Sequence, residues 1–464
     1  MLIHRASLED GRICDVRIAD GRICKIGDLT AETGEDILEA RNGLLLPGLH
    51  DHHIHLMALA AAMDSVRCGP PEVMEDEDLG AALSRPGDRW LRGVGYHESI
   101  AGMLDAAMLD RLAPHRPVRI QHRSGRMWFF NSAGLEIVAA APGAEQRLER
   151  EGGRYTGRLF DSDAWLRGAL RGAPPSLGAV GVRLARYGIT GATDMSPAND
   201  AALAAHFAAE QAVGALPQDL LFAGTLALTG QDMGPRMRLG PAKLHLHEAD
   251  LPELQTAVDF IRAAHERARA VAVHCVTEVE LLFTLVAFDE AGAQHGDRIE
   301  HASIARPDEI ARMARLGIWV AAQPNFIAER GDQYLADVQS GFVPHLYRLK
   351  SLLGAGITLA AGSDAPFGDP DPWAAMQAAV QRRAPSGVFV GAGEALTPED
   401  ALDLFLRDPA DLTIRRKVEI GAPADLCLLD CDWKTARADL SATHVLSVFV
   451  AGRAIFDRVD EAPF

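Results

Sequence analysis

The chain has 464 residues, 48% of them hydrophobic, and a formal net charge of −18 at pH 7. That charge argues against a surface for nucleic acid or anionic membrane, and no apolar run approaches the roughly 20 residues of a membrane span. Six scattered cysteines form no C-x-x-C pair, and the N-terminus lacks the long apolar core of a signal peptide, so the expected setting is reducing and cytoplasmic.

Residues 1–46 read as short strands joined by tight turns. Asp10-Gly11 and Asp20-Gly21 are hairpin signals, and Ile13, Val16, Ile18, Ile23 and Ile26 supply strand formers. A segment this small cannot bury a core alone. The far end of the chain offers a partner, because 424–430 and 445–453 again read as strand, turn, strand. The expectation is one small β-sandwich domain assembled from residues 1–46 and 412–464.

The apolar run Leu44-Leu45-Leu46-Pro47-Gly48-Leu49 reads as a buried strand and leads into His50-Asp51-His52-His53-Ile54-His55. Side chains alternate along a strand, so His53 and His55 point to one face, a pleat apart. Two neutral imidazoles held that way form half of a metal site, since Zn²⁺ accepts nitrogen at about 2.0–2.1 Å. An H-x-H alone is weak evidence. Here it closes a buried strand after Pro-Gly, where a barrel enzyme places its chemistry.

Further β-rich runs follow at 189–195, 220–226, 243–247, 271–276, 298–301, 318–323 and 357–364, which with 44–55 makes eight. Helical patterns separate the later ones. One covers 251–270, with Asp250 as N-cap and Pro252 close behind; another covers 307–316 and ends at Gly317. Eight β/α units are the signature of a TIM barrel, expected here over residues 47–411. The fold class is therefore α/β. The long gap at about residues 60–185 holds its own strand-like piece at 117–121 and reads as an insertion over the catalytic mouth.

The inferred strand ends carry His53, His55, Lys243, His274, His301 and Asp364. Taken singly, His274 and His301 could be satisfied core histidines, and Asp364 could cap a turn or helix. Lys243 is harder to dismiss, because an unpaired buried ammonium is costly. Their joint placement at the C-terminal face of a barrel points to metal chemistry.

These motifs resemble the amidohydrolase superfamily, in the branch called amidohydrolase family 3 or YtcJ-like. Pro47–His55 resembles the family's first-strand motif, and Asp297-Arg298-Ile299-Glu300-His301-Ala302, Gln323-Pro324 and Gly362-Ser363-Asp364-Ala365-Pro366 its later ones. Trp90 to Tyr96, Pro117-Val118 and Asn131-Ser132-Ala133 resemble its insertion, and Gly421-Ala422-Pro423-Ala424-Asp425-Leu426 its C-terminal β-turn. The resemblance implies His53, His55 and Asp364 on one divalent metal and His274 and His301 on a second, zinc being the expected ion, whether one is bound or two. Lys243, if carboxylated by CO₂, would bridge them. It further implies a metal-activated hydroxide, with Asp364 as general base and then acid.

Three departures stand out. Arg126 replaces a histidine common in relatives, and Cys275-Val276-Thr277-Glu278 follows His274 in place of Gly-Asp. The fourth strand reads Lys243-Leu244-His245-Leu246-His247-Glu248. A period of 2 would put Lys243, His245 and His247 on one face, so an imidazole could reach the metal in place of a carbamate.

Trp90, Tyr96, His97, Arg126 and Trp128 of the insertion, with Gln323, are expected to line the substrate pocket. The expected activity is hydrolysis of a C–N bond in a small molecule. Similarity to N-substituted formamide deformylases points to N-acyl or N-formyl amines. A deaminase or cyclic-amide hydrolase with the same metal centre is the alternative enzyme, and a non-catalytic binding or scaffold protein the alternative of another class. A small-molecule substrate is the expected partner, and a homodimer is allowed.

Overall fold

The computed structural model describes residues 1–70, 72–87, 90–170 and 174–458. Eight parallel strands follow one another in chain order around a nearly closed barrel: Leu49–Ile54, Ile189–Asp194, Asp219–Gly224, Met237–Leu244, Val271–Cys275, Arg298–His301, Trp319–Ala322 and Leu359–Ala361. Most of their residues are buried, which is why they read as continuous apolar runs and not as alternating ones. Val271, Ile299, Val320 and Leu359 are each 0% exposed, and burial of such a side chain is worth about 1.5–3 kcal/mol. The seam between last and first strands is closed by Asp364 N–H donating to His53 O at 2.7 Å and His55 N–H donating to Ala365 O at 2.9 Å.

Helices connect the later strands, among them Leu254–His265, Glu278–Ala291 and Pro307–Leu316. The last ends, as expected, at Gly317, which adopts the left-handed conformation at φ 68°. The helix expected over 251–270 is shorter. Glu253 is its N-cap, and Glu248–Asp250 instead forms a short 3₁₀ turn.

Strand boundaries also differ from expectation, and two of the differences bear on the site. The run 44–55 is not one strand: Leu45–Pro47 pairs antiparallel with Leu426–Leu429, and Leu49–Ile54 enters the barrel. Gly48 is the pivot, because a Cβ there would fall 2.1–2.7 Å from the Thr190 side chain. The fourth strand ends at Leu244, so His245 and His247 lie on the following loop, and the shared-face argument for them does not hold.

Both chain ends form sheets. One runs Arg22–Gly27, Ile13–Ala19, Leu2–Ser7, Ile37–Glu39; the other runs Arg453–Asp457, Val445–Val450, Leu426–Leu429, Leu45–Pro47. Ile3, Val16, Ile18 and Ile23 share one hydrophobic cluster with Leu45, Leu426, Leu428 and Phe449. Asp20 and Gly21 both have positive φ, 52° and 73°, the two-residue hairpin geometry that Asp-Gly favours.

Residues 57–175 form a separate compact unit. Its six-stranded sheet runs Leu148–Glu151, Arg154–Phe160, Met127–Phe130, Val118–His122, Leu91–Tyr96, Val66–Arg67. Leu79, Leu91, Val118, Ile120 and Phe129 belong to one of its hydrophobic clusters. The helix Gly178–Arg186 belongs to the other unit. Among the described residues no helix is long and apolar enough to cross a membrane.

Candidate metal centre

Four strand ends deliver imidazoles or carboxylates to one place. His53 is the penultimate residue of the first strand and His55 follows its end; His274 comes from the fifth strand and His301 closes the sixth. Asp364 lies three residues beyond the eighth. Side-chain atoms of His53, His301 and Asp364 come within 4.8 Å of one another, and all three residues are buried. Asp364 Oδ1 lies 3.1 Å from His55 Nε2 and 3.5 Å from His53 Nε2. His301 Nε2 and His274 Nδ1 converge to 2.9 Å.

The imidazoles are aimed by partners on their far nitrogens. His53 Nδ1 meets Glu300 Oε2 at 2.5 Å, His301 Nδ1 meets Gln323 Oε1 at 2.7 Å, and His55 Nδ1 meets Ser196 Oγ at 3.1 Å. A carboxylate or amide oxygen can only accept from these rings, so the proton of His53 and His301 sits on Nδ1 and Nε2 offers a lone pair. Arg298 in turn ion-pairs with Glu300 and donates to His52 O at 2.7 Å. Glu300 was not among the expected site residues. The sequence carried a signal: Arg298 and Glu300 are two apart on the sixth strand, so two opposite charges share one face of an otherwise buried strand.

Backbone geometry is unusual at the same points. His301, Ala302 and Asp364 hold positive φ values of 72°, 45° and 55°, which costs about 1–3 kcal/mol each for residues with a Cβ. Gly362 permits the approach of the eighth strand to the first, since a Cβ there would lie 2.3 Å from His53 N and 2.8 Å from Asp51 Oδ1. Asp51 holds the same junction, accepting from His53 N at 3.0 Å, Ser363 N at 3.1 Å and Ser363 Oγ at 2.6 Å.

Electrostatics follow from burial. His53 is lowered to about 3 by desolvation, against the opposing pull of Glu300, so it is neutral. Burial also lowers His274 and His301. On Asp364 burial pushes upward, but the imidazoles of His55, His53 and His301 outweigh it and keep the carboxyl ionised. Lys243 is lowered to about 8 by desolvation.

Three buried atoms here lack a hydrogen-bond partner: His53 Nε2, Asp364 Oδ1 and Lys243 Nζ. Leaving a buried polar group unsatisfied costs about 1–3 kcal/mol, more when it is charged. Two lone-pair atoms facing each other across 3.5 Å, beside two convergent imidazole nitrogens, are the donor set a divalent cation satisfies. The residues present fit such an ion.

The expected substrate-contacting residues divide. Gln323 is 0% exposed and holds His301, so it positions a candidate ligand and does not face solvent. Tyr96, also 0% exposed, packs edge-on against Phe129 and donates its hydroxyl to Gly102 O at 2.7 Å; it belongs to the core of the insertion. Trp128 is buried in a second cluster of that unit, its Nε1 donating to Asp163 Oδ1 at 2.8 Å. All three are held by contacts within the protein, since large aromatic groups and amides are placed by burial as readily as by ligands. Trp90 is half-buried against Phe130. Arg126 is exposed and forms a two-pronged pair with Asp161, both contacts 2.7 Å. His97 meets Ser99 Oγ at 2.8 Å and lies 3.6 Å from Glu98, whose carboxylate also meets His122 Nε2 at 2.8 Å.

Comparison with known proteins bears on this arrangement. The model of the amidohydrolase family matches residues 36–456. An N-substituted formamide deformylase from Arthrobacter pascens is 26% identical, over 96% of this chain and 95% of its own length. Solved structures of uncharacterized metal-dependent hydrolases share the fold. One from Pyrococcus horikoshii OT3 superposes with a TM-score of 0.80 at 21% identity, covering 96% of this chain and 99% of its own. Another, from Pyrococcus furiosus, gives 0.75 at 22% identity, covering 93% and 99%.

Proposed function

The chain belongs to the amidohydrolase family, and from that premise we propose that it is a metal-dependent hydrolase of an amide C–N bond in a small organic molecule, of the N-acyl or N-formyl amine class. The observation that carries the reading is the pair of buried, unpartnered atoms His53 Nε2 and Asp364 Oδ1 beside the convergent nitrogens of His274 and His301. His53, His55 and Asp364 would hold one ion, and His274 and His301 a second. Nitrogen-rich donor sets suit zinc. When bound, such ions supply Lewis acidity and lower the pKa of water from 15.7 to about 7.

The chain's own groups account for the remaining chemistry. Burial keeps His53 and His301 neutral against the pull of their partners, and Glu300 and Gln323 keep the two rings correctly turned. Asp364, held ionised by the neighbouring imidazoles, accepts the proton of the attacking water and returns it to the departing nitrogen. Lys243, lowered to about 8, has an appreciable neutral-amine fraction near neutral pH. That amine can add CO₂, forming an N–C bond and releasing one proton, to give the anionic carbamate.

The test is metal analysis of the purified protein followed by a panel of N-acyl and N-formyl amines. A double variant, His53→Ala with His55→Ala, is expected to lose one metal equivalent and all turnover. Full occupancy in that variant, or a metal-loaded parent that hydrolyses no member of the panel, defeats the proposal.

A further inference from the structure

We infer that His245 is an additional metal-binding imidazole, forming with His274 and His301 a position of three nitrogen donors. The inference rests on the metal-dependent reading above and adds a residue to it.

Five imidazoles form an unbroken row across the barrel mouth. Successive ring centroids are 5.3 Å apart from His55 to His53, 4.7 Å to His301, 4.5 Å to His274 and 4.4 Å to His245. Four of these were expected as ligands from the strand ends. His245 reaches the row because the fourth strand stops at Leu244 and releases the backbone. Leu246, 1% exposed, then anchors the loop on its other side.

The two histidines of this loop behave differently. His247 is exposed, and its Nδ1 accepts from Ala249 N at 3.3 Å, capping the 3₁₀ turn that follows. His245 instead tilts at 43° over His274. Among the described residues its ring has no hydrogen-bond partner, in contrast to the oriented rings of His53, His55 and His301. The residue is exposed, so neither ring nitrogen is a buried unsatisfied group.

Lys243 sharpens the argument. It lies on the fourth strand two residues before His245, and its Nζ is buried without a hydrogen bond. As an ammonium it offers neither a lone pair nor an anionic oxygen, so a Lys243 left unmodified in that form leaves His274 and His301 two donors only. His245 brings that number to three, and three imidazoles with one open place is a well-populated zinc coordination set. Such a position discriminates against ions that require oxygen donors, so Zn²⁺ and Co²⁺ are held more tightly than Mn²⁺ or Mg²⁺.

The experiment uses full-length protein stripped with a chelator and titrated with Co²⁺, with and without added bicarbonate. Stoichiometry, the affinity of each equivalent by chelator competition, and the visible Co²⁺ absorption are read for the parent, His245→Ala, His245→Gln and His247→Ala. His245 is exposed, so its variants are expected to fold, which circular dichroism checks. The parent is expected to bind two ions. Both His245 variants should weaken the second equivalent about tenfold or more and alter its absorption, and His247→Ala should match the parent. A parent with no ion defeats the hydrolase reading itself. A parent with two ions, matched by His245→Ala in second-site affinity and spectrum, overturns this inference alone, even if KM changes; so does a parent that binds a single ion.

Discussion

Asp364 sits in the left-handed region with its carboxylate between two imidazoles, its backbone N–H donating to His53 O. Asn has nearly the same shape and still offers an oxygen, but it cannot take a proton at neutral pH. Asp364→Asn is therefore expected to fold and keep at least one ion while kcat falls about 10²–10⁴-fold, the usual span for loss of a general acid–base. Near-parental kcat would remove the proton-transfer role. Glu300 acts differently, through His53 and not on substrate. Glu300→Gln keeps the shape but can present an N–H to a ring nitrogen that already carries one. Metal affinity is expected to drop about 10–100-fold, read by chelator competition, with an unchanged fold.

At the level of elements, the barrel closes because small residues let two strands approach. In Gly362→Ala the new methyl would lie 2.3 Å from His53 N, a backbone atom that cannot step aside. Overpacking of this kind costs about 1–3 kcal/mol, and here the displaced residue is a candidate ligand. Thermal denaturation should show the destabilisation, and metal analysis a loss of occupancy; a variant that matches the parent in both would mean the junction is more yielding than its geometry indicates. The N-terminal sheet supplies a pH prediction. Arg17 grips Glu35 with Nε and Nη2, each at 2.8 Å, and holds its carboxyl down to about 2 from an ordinary 4.5. A depressed carboxylate stabilises the folded state above its unfolded pKa, and that contribution drains away as pH falls from about 4.5 toward 2. The parent should lose stability over that window more steeply than Glu35→Gln, which has nothing left to titrate there. Parallel acid-denaturation curves would contradict the assignment.

Across the whole molecule, the candidate centre takes residues from the first, fifth and sixth strands and from the turn after the eighth. An ion that binds this assembly and not the unfolded chain stabilises folding by about 4 kcal/mol when present at 1,000 times its dissociation constant. Chelation is accordingly expected to lower Tm, with the drop reversed by Zn²⁺ and diminished in the double variant of His53 and His55. An unchanged Tm on complete metal removal would show that the imidazole cluster is satisfied by protein contacts alone.

Local sequence carried the covalent order of the design. Apolar runs too short for helices marked the barrel strands, and Asp20-Gly21 marked a hairpin through its tolerance of positive φ. Histidines at strand ends marked the candidate metal centre, because a strand end is where a polar side chain can leave the core. What local sequence could not carry was any property requiring two distant segments at once. Gly48 divides one apolar run between two sheets only because Thr190 lies against it. Tyr96, Trp128 and Gln323 look like ligand-binding groups until their hydrogen-bond partners are known. Glu300, 247 residues from His53 in the chain, becomes its orienting partner only when the first and sixth strands face each other across the barrel. Periodicity reports which face a side chain takes, but hydrogen bonds and steric contacts between remote residues exist only after the chain has closed.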